Sequence, residues 1–192
     1  MKTSAFFRLA LLGAAVSLAS CKPGDDSKPQ ENPVSGFLDG GTTTTGTRTS
    51  GPWELGVVIS TSTNGKITQL GARMPEPGTY RITIWDAATK AVLRQKSVEQ
   101  TAPDKLVLAD IDALPVAANT TKLVVSVNSQ SAGANKKYFF ASNGGAFLPF
   151  AKGSILVESA CYRLTAPAVF PDGVKDIKSE MYGYPDVTFI PD

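Results

Sequence analysis

The sequence predicts an all-β protein: an antiparallel two-sheet sandwich, jelly-roll-like, with a plain immunoglobulin-like sandwich as the alternative. Three observations predict it. Short segments of alternating apolar and polar residues recur from Glu54 to Ile190. Clusters of Pro, Gly and Asn separate them at short, fairly even spacing, as in sandwiches and barrels. No stretch sustains a helical period; residues 109–118 come closest, and Pro115 interrupts them. The cysteine pair that bridges the sheets of antibody domains is missing, because the chain has only Cys21 and Cys161.

In chain order, residues 1–20 read as a secretion signal. Lys2 and Arg8 form the positive end, and the apolar run 9–18 is too short to span a bilayer. Leu18-Ala19-Ser20-Cys21 is a lipobox, similar to those of bacterial lipoproteins, in which the cysteine is acylated and becomes the first residue of the mature chain. Cys21 is therefore the expected lipidation site, and two or more acyl chains anchor a protein stably to a membrane. Residues 21–50 are rich in Pro, Gly, Asp, Ser and Thr, with Thr42-Thr43-Thr44-Thr45 at their centre, and read as a flexible tether. Phe37 and Leu38 within it suit a short local contact or a first strand. Asp25-Asp26, just past the lipobox, resemble export signals that carry lipoproteins to the outer face in some Gram-negative lineages; a solvated linker pair reads equally well. The expected location is the cell envelope, anchored in the outer membrane.

Residues 51–192 form the expected sandwich domain. The first strand, 54–62, places Leu55, Val57 and Ile59 on one face, and 66–73 follows the turn signal Asn64-Gly65. Segment 79–86 places Tyr80, Ile82 and Ile84 inward and leaves Arg81, Thr83 and Trp85 on the other face. Segments 92–98, 105–111, 122–128, 138–141, 154–164 and 184–190 complete the strands. Cys161, in the penultimate one, reads as a buried, inert thiol.

Several of these segments resemble one family. Trp53-Glu54-Leu55-Gly56-Val57 looks like its opening strand, and the run Gly78-Thr79-Tyr80-Arg81-Ile82-Thr83-Ile84-Trp85-Asp86 like its central strand. Ala91-Val92-Leu93 resembles the strand after the next turn. Phe170-Pro171, followed by Tyr184-Pro185-Asp186-Val187-Thr188-Phe189, resembles its closing motif, although Pro185 stands where that motif has Trp-Val. The family is domain of unknown function 4082, and the resemblance spans 51–191. It implies a module of bacterial extracellular proteins, often found beside immunoglobulin-like or carbohydrate-active modules, with no assigned catalytic activity.

Composition narrows the chemistry. There is no histidine, which excludes Ser-His-Asp and Cys-His nucleophiles and an imidazole base. Paired carboxylates, as in glycoside hydrolysis, stay open, but no pair stands out. No Asp-x-Asp-x-Asp-Gly loop is present, and no metal or other cofactor is expected. The chain has 19 Lys plus Arg against 17 Asp plus Glu, and without Lys2 and Arg8 the two signs balance, so no nucleic acid is expected as partner. Trp85 is the first candidate for ligand contact: a ring flanked by Arg81 and Thr83 on a sheet face suits stacking on a sugar, unless a loop covers it. Tyr138, Tyr182 and Tyr184 are further candidates for a groove at the loop end, and Trp53 suits a cap on the core. The expected function is a non-catalytic module binding an extracellular glycan or other polymer. The alternative is an assembly lipoprotein that binds an envelope protein, and a carboxylate-dependent hydrolase comes third.

Overall fold

The computed structural model describes residues 28–192; the signal, the lipobox with Cys21, and Asp25-Asp26 lie outside the described residues. A short helix α1 (Pro33–Leu38) is followed by strands only: β1 (Thr44–Arg48), β2 (Trp53–Thr61), β3 (Gly65–Arg73), β4 (Gly78–Asp86), β5 (Val92–Gln100), β6 (Leu106–Val116), β7 (Leu123–Asn128), β8 (Tyr138–Ser142), β9 (Phe150–Lys152), β10 (Ile155–Leu164), β11 (Val174–Ile177), β12 (Glu180–Tyr182) and β13 (Pro185–Pro191). They form one large antiparallel sheet in the order β11-β10-β2-β7-β4-β5, with β9 also on β10, and two small sheets, β13-β3-β6 and β1-β8-β12. The protein is an all-β sandwich.

Each segment expected as a strand is one. The alternation also predicts the inner faces of two of them: Leu55, Val57 and Ile59 of β2 and Tyr80, Ile82 and Ile84 of β4 are buried in one core, which Val125 and Val127 of β7 join. Ile67, Leu70, Val187 and Phe189 from one small sheet, and Ala141 and Met181 from the other, join the same core. Residues 109–118, which carry the nearest approach to a helical period, lie largely in β6. Pro115 is tolerated there because β6 is an edge strand whose outer backbone needs no partner. Asn64-Gly65 makes no hairpin: β2 pairs β10 and β7, while β3 pairs β13 and β6, so this turn carries the chain from one sheet to another.

The tether expected over 21–50 is corrected from Glu31 onward. Glu31 bridges Phe189 of β13, Val34 is 1% exposed, and Phe37 stacks on Phe150 with ring centroids 3.8 Å apart. β1, which contains Thr44, Thr45 and Thr47, pairs residue by residue with β8. Composition misleads here because a few apolar anchors and one ladder are enough to order a polar segment against an existing domain.

One buried group holds this segment. Asp186, 1% exposed, accepts hydrogen bonds from the backbone N–H groups of Ser35 (2.8 Å), Val34 (3.2 Å) and Val187 (3.0 Å). It thereby satisfies donors in the first turn of α1 that no helical carbonyl can reach. Burial pushes its pKa up to about 6 from the ordinary 3.8, against the opposing pull of these N–H groups. Because the folded state binds this proton more tightly than the unfolded chain, the group's contribution to stability grows as pH falls from about 6 towards 3.8, and its full cost is present above 6. A shift of this size corresponds to roughly 3 kcal/mol. The stability of wild type relative to Asp186→Asn, followed by urea unfolding, is expected to rise by that order between pH 7 and pH 4. A difference that does not change with pH would sink the assignment.

Candidate functional site

The middle strands of the large sheet, β2, β7 and β4, are largely buried on both faces, and their outer face sets polar side chains beside an apolar cluster of Trp85, Val124 and Cys161. On it, Glu54 is fully buried. Its carboxylate accepts from Ser126 Oγ (2.6 Å), Arg81 Nη2 (3.1 Å) and Asn128 Nδ2 (3.2 Å). Burial pushes the Glu54 pKa up, and these three partners pull it back. Trp85 Nε1 donates to the same Ser126 Oγ at 2.8 Å. The segment after β10 closes this face: Thr165 and Ala166 offer carbonyls to Asn128 (3.0 Å) and Arg81 (3.1 Å), and Phe170 meets Trp85 edge to face at 5.9 Å. Gly56 packs tightly beneath it: a Cβ there would lie 3.2 Å from Pro171 and 3.1 Å from both Cys161 and Val124, so these side chains would have to shift by a few tenths of an ångström.

This geometry corrects the first candidate. Trp85 is 3% exposed and Thr83 is fully buried, so neither presents a surface to a sugar. Arg81 is committed to Glu54 and to the covering segment. The three residues do share a face, as alternation requires, but the chain covers it. Cys161 packs beside Trp85 and Val124 as a free, buried thiol, and burial raises its pKa to about 12. It is a weak nucleophile in this setting.

The open site lies at the end of the sandwich, between the large sheet and β1-β8-β12. Here Trp53, Tyr138, Tyr162 and Tyr182, with Arg48 and Ser50 at the rim, line a cavity of about 140 Å³ floored by Leu55. The rings stand at right angles: Trp53 to Tyr162 at 5.3 Å and 78°, Tyr162 to Tyr182 at 5.6 Å and 89°. Their polar ends are held. Trp53 Nε1 donates to Ser50 Oγ (3.2 Å), which also hydrogen-bonds Tyr138 Oη (3.0 Å), and Tyr182 Oη donates to Glu180. Arg48 lies 4.2 Å from the centroid of Phe140 and pairs with Glu180 at 3.0 Å. Hydrogen bonding to Tyr182 and Arg48 holds the Glu180 carboxyl below its usual range. The site is therefore a rigid aromatic corner with a charged, hydroxyl-bearing rim.

Two sequence candidates, Tyr138 and Tyr182, line this cleft, and Trp53 lines it too while packing against the end of the core. Tyr184, beyond the tight turn at Gly183, points away from it and stacks on Phe139 at 5.5 Å. Tyr162, Arg48 and Ser50 are the residues that sequence reading misses. A bulge in β10 between Val157 and Ser159 reverses the alternation, which sets Tyr162 beside Leu55 and turns Cys161 to the outer face. Arg48 and Ser50 fall in the stretch read as tether.

No family model matches the chain, and no curated protein matches it. For the outer face, Trp85→Ala is expected to lower stability by about 3–5 kcal/mol, as buried aromatic truncations do. Trp85→Phe, which removes the bond to Ser126 but keeps the ring, should cost less. Equal, negligible effects in chemical denaturation would contradict the buried placement.

Proposed function

We propose that the chain is a bacterial cell-envelope lipoprotein whose sandwich is a non-catalytic binding module, taking an extracellular glycan at the Trp53–Tyr162–Tyr182 cleft. The observation that carries this reading is the aromatic corner, in which Trp53 and Tyr162 are partly exposed over the buried Tyr138 and Tyr182 and polar groups are fixed at the rim. Aromatic faces take the C–H surface of a sugar, while Arg48 and Ser50 offer donors to its hydroxyls. At about 140 Å³ the cavity is smaller than the ~300 Å³ at which drug-sized pockets begin, so it suits the edge or end of a saccharide rather than an enclosed chain. The resemblance to domain of unknown function 4082 supports an accessory, extracellular role. With Cys21 acylated, ten residue steps separate it from Glu31, and an extended chain of that length reaches at most about 35 Å. The domain would thus be held close to the bilayer.

A second reading, an assembly lipoprotein that docks an envelope protein, draws on the apolar side chains left exposed near the covering segment: Leu164 (63%), Val169 (36%) and Val174 (41%). Native gels cast with xylan, glucomannan or hydroxyethylcellulose, together with a glycan array, separate the two. Binding is expected for wild type and should be lost in both Trp53→Ala and Tyr162→Ala, while their circular dichroism and cooperative unfolding persist. Absence of any glycan binding, with stoichiometric recovery of one envelope protein by pull-down, would favour the second reading.

A further inference from the structure

The segment after β10 closes the outer face of the large sheet only in part. The apolar cluster of Trp85, Val124 and Cys161 is buried, but Val58, Ala87 and Phe170, which pack against it, stay partly exposed. Between them opens a cavity of about 250 Å³ that shares no residue with the aromatic cleft. Val58 stands there because it points outward from β2, opposite Val124 of β7 and Ser159 of β10. Ala87 follows β4, and Phe170 comes from the covering segment. Apolar side chains left open to water in a hollow, with a few polar groups converging on it, are the make of a small-molecule site.

The mouth is charged, and the signs do not balance. Lys90 and Arg163 share one carboxylate, Asp172, while Lys178 pairs with Asp176. Lys175, exposed beside them, has no ion-pair partner among the described residues. Glu158, the next carboxylate on this face, is matched by Lys122. Five cations thus stand against three carboxylates around one apolar hollow. Lys90 Nζ also lies 5.8 Å from the centroid of the Phe170 ring, so a cation is held directly over the apolar wall. A cationic ligand is repelled there, and a neutral one leaves the excess charge unmet. An apolar body ending in an anion satisfies both parts of the site.

We propose that this cavity is a second binding site, which takes a short amphipathic carboxylate: an apolar body seated on Val58, Ala87 and Phe170, with its one carboxylate turned to Lys175 and Lys90. At ~30 Å³ for each displaced water, the space suits a body of roughly six to eight carbons. The site goes beyond the glycan reading and does not rest on it.

The test uses the full chain in nanodiscs, with empty nanodiscs as the blank, and titrates butanoate, hexanoate, octanoate and octanol by calorimetry. Saturable binding above the blank is expected for the carboxylates, tightening roughly fivefold or more with each added pair of carbons as more chain is buried. Octanol should bind more weakly than octanoate. Lys175→Gln should weaken octanoate binding about two- to fivefold, the range of an exposed charge pair, and leave octanol binding unchanged. Val58→Glu, which sets a like charge in the hollow, should abolish octanoate binding while circular dichroism and cooperative unfolding persist. Ala87→Leu fills the same space from the end of β4 and should weaken binding as well, which keeps the assignment testable if Val58→Glu does not fold. Trp53→Ala should leave the octanoate isotherm intact. The absence of saturable binding for every carboxylate overturns the proposal. So does octanoate binding that folded Val58→Glu and Ala87→Leu both retain, or binding that Trp53→Ala removes, which places the ligand in the aromatic cleft. Octanol binding as tightly as octanoate, with Lys175→Gln without effect, also overturns it, because the carboxylate is then not recognised.

Discussion

The carboxylate of Asp186 beneath helix α1 is the constraint on which most of the molecule's open surface depends. Without it, the first turn of α1 would present unsatisfied N–H groups to a buried site, and residues 31–38 would be hydrogen-bonded to β13 by the Glu31–Phe189 bridge and the Asn32 side chain alone. With it, the segment is held, β1 is delivered to β8, and the sheet β1-β8-β12 closes one end of the sandwich. Arg48 and Ser50 then stand at the rim of the aromatic cleft, and Thr43 and Thr45 beside Tyr184. The interaction is costly for a group of this type. The carboxylate is buried without a cation, and only backbone N–H groups compensate it.

The large sheet shows a second economy of design. Its inner face is apolar and its outer face carries polar residues, yet along β2, β7 and β4 both are largely buried, because the segment after β10 folds back over Glu54, Ser126 and Asn128. An uncompensated carboxylate at that depth would be severely destabilising. Here it is matched by Arg81 and by side-chain donors on adjacent strands. The same closure removes Trp85 from solvent and leaves the proposed glycan recognition to the end of the sandwich, where a sheet edge and a small sheet meet. Asp172, paired with Lys90 and Arg163 and held down to about 2 by them, fastens the far end of the covering segment.

Two cavities flank one small sheet. Tyr138 and Tyr182 open towards the aromatic cleft, whereas Phe139 and Tyr184 line a second one. For Tyr138 and Phe139 this division follows from the pleat, since adjacent residues of a strand face opposite ways; for Tyr182 and Tyr184, two residues apart, it follows from the turn between β12 and β13, where Gly183 and Tyr184 have φ of +70° and +45°. The rings of the adjacent run Tyr138-Phe139-Phe140 alternate in direction, yet all three pack in or against the one core. Which ring went where depended on the partner strands, and these come from distant parts of the chain.

Periodicity by itself determined the β class, the strands with strong alternation and the inward residues of β2 and β4, because a strand with one face on the core must alternate whatever it pairs with. It missed β1, β9 and β11, which are short and largely exposed, and β12, which is buried but only three residues long; all four are ordered by their neighbours. Composition determined that histidine chemistry is excluded, since that needs only a residue to be lacking. The tertiary structure alone decided that Trp85 is covered, that Tyr162 faces the cleft and that residues 31–48 belong to the domain. Each of these turns on a contact distant in sequence: a loop laid over a sheet face, a single-residue bulge that reverses the alternation after Glu158, and a carboxylate at 186 that captures the backbone at 34 and 35. Local sequence carries the propensity of a segment to be a strand, but the free energy that chooses which side of it meets solvent resides in the partner.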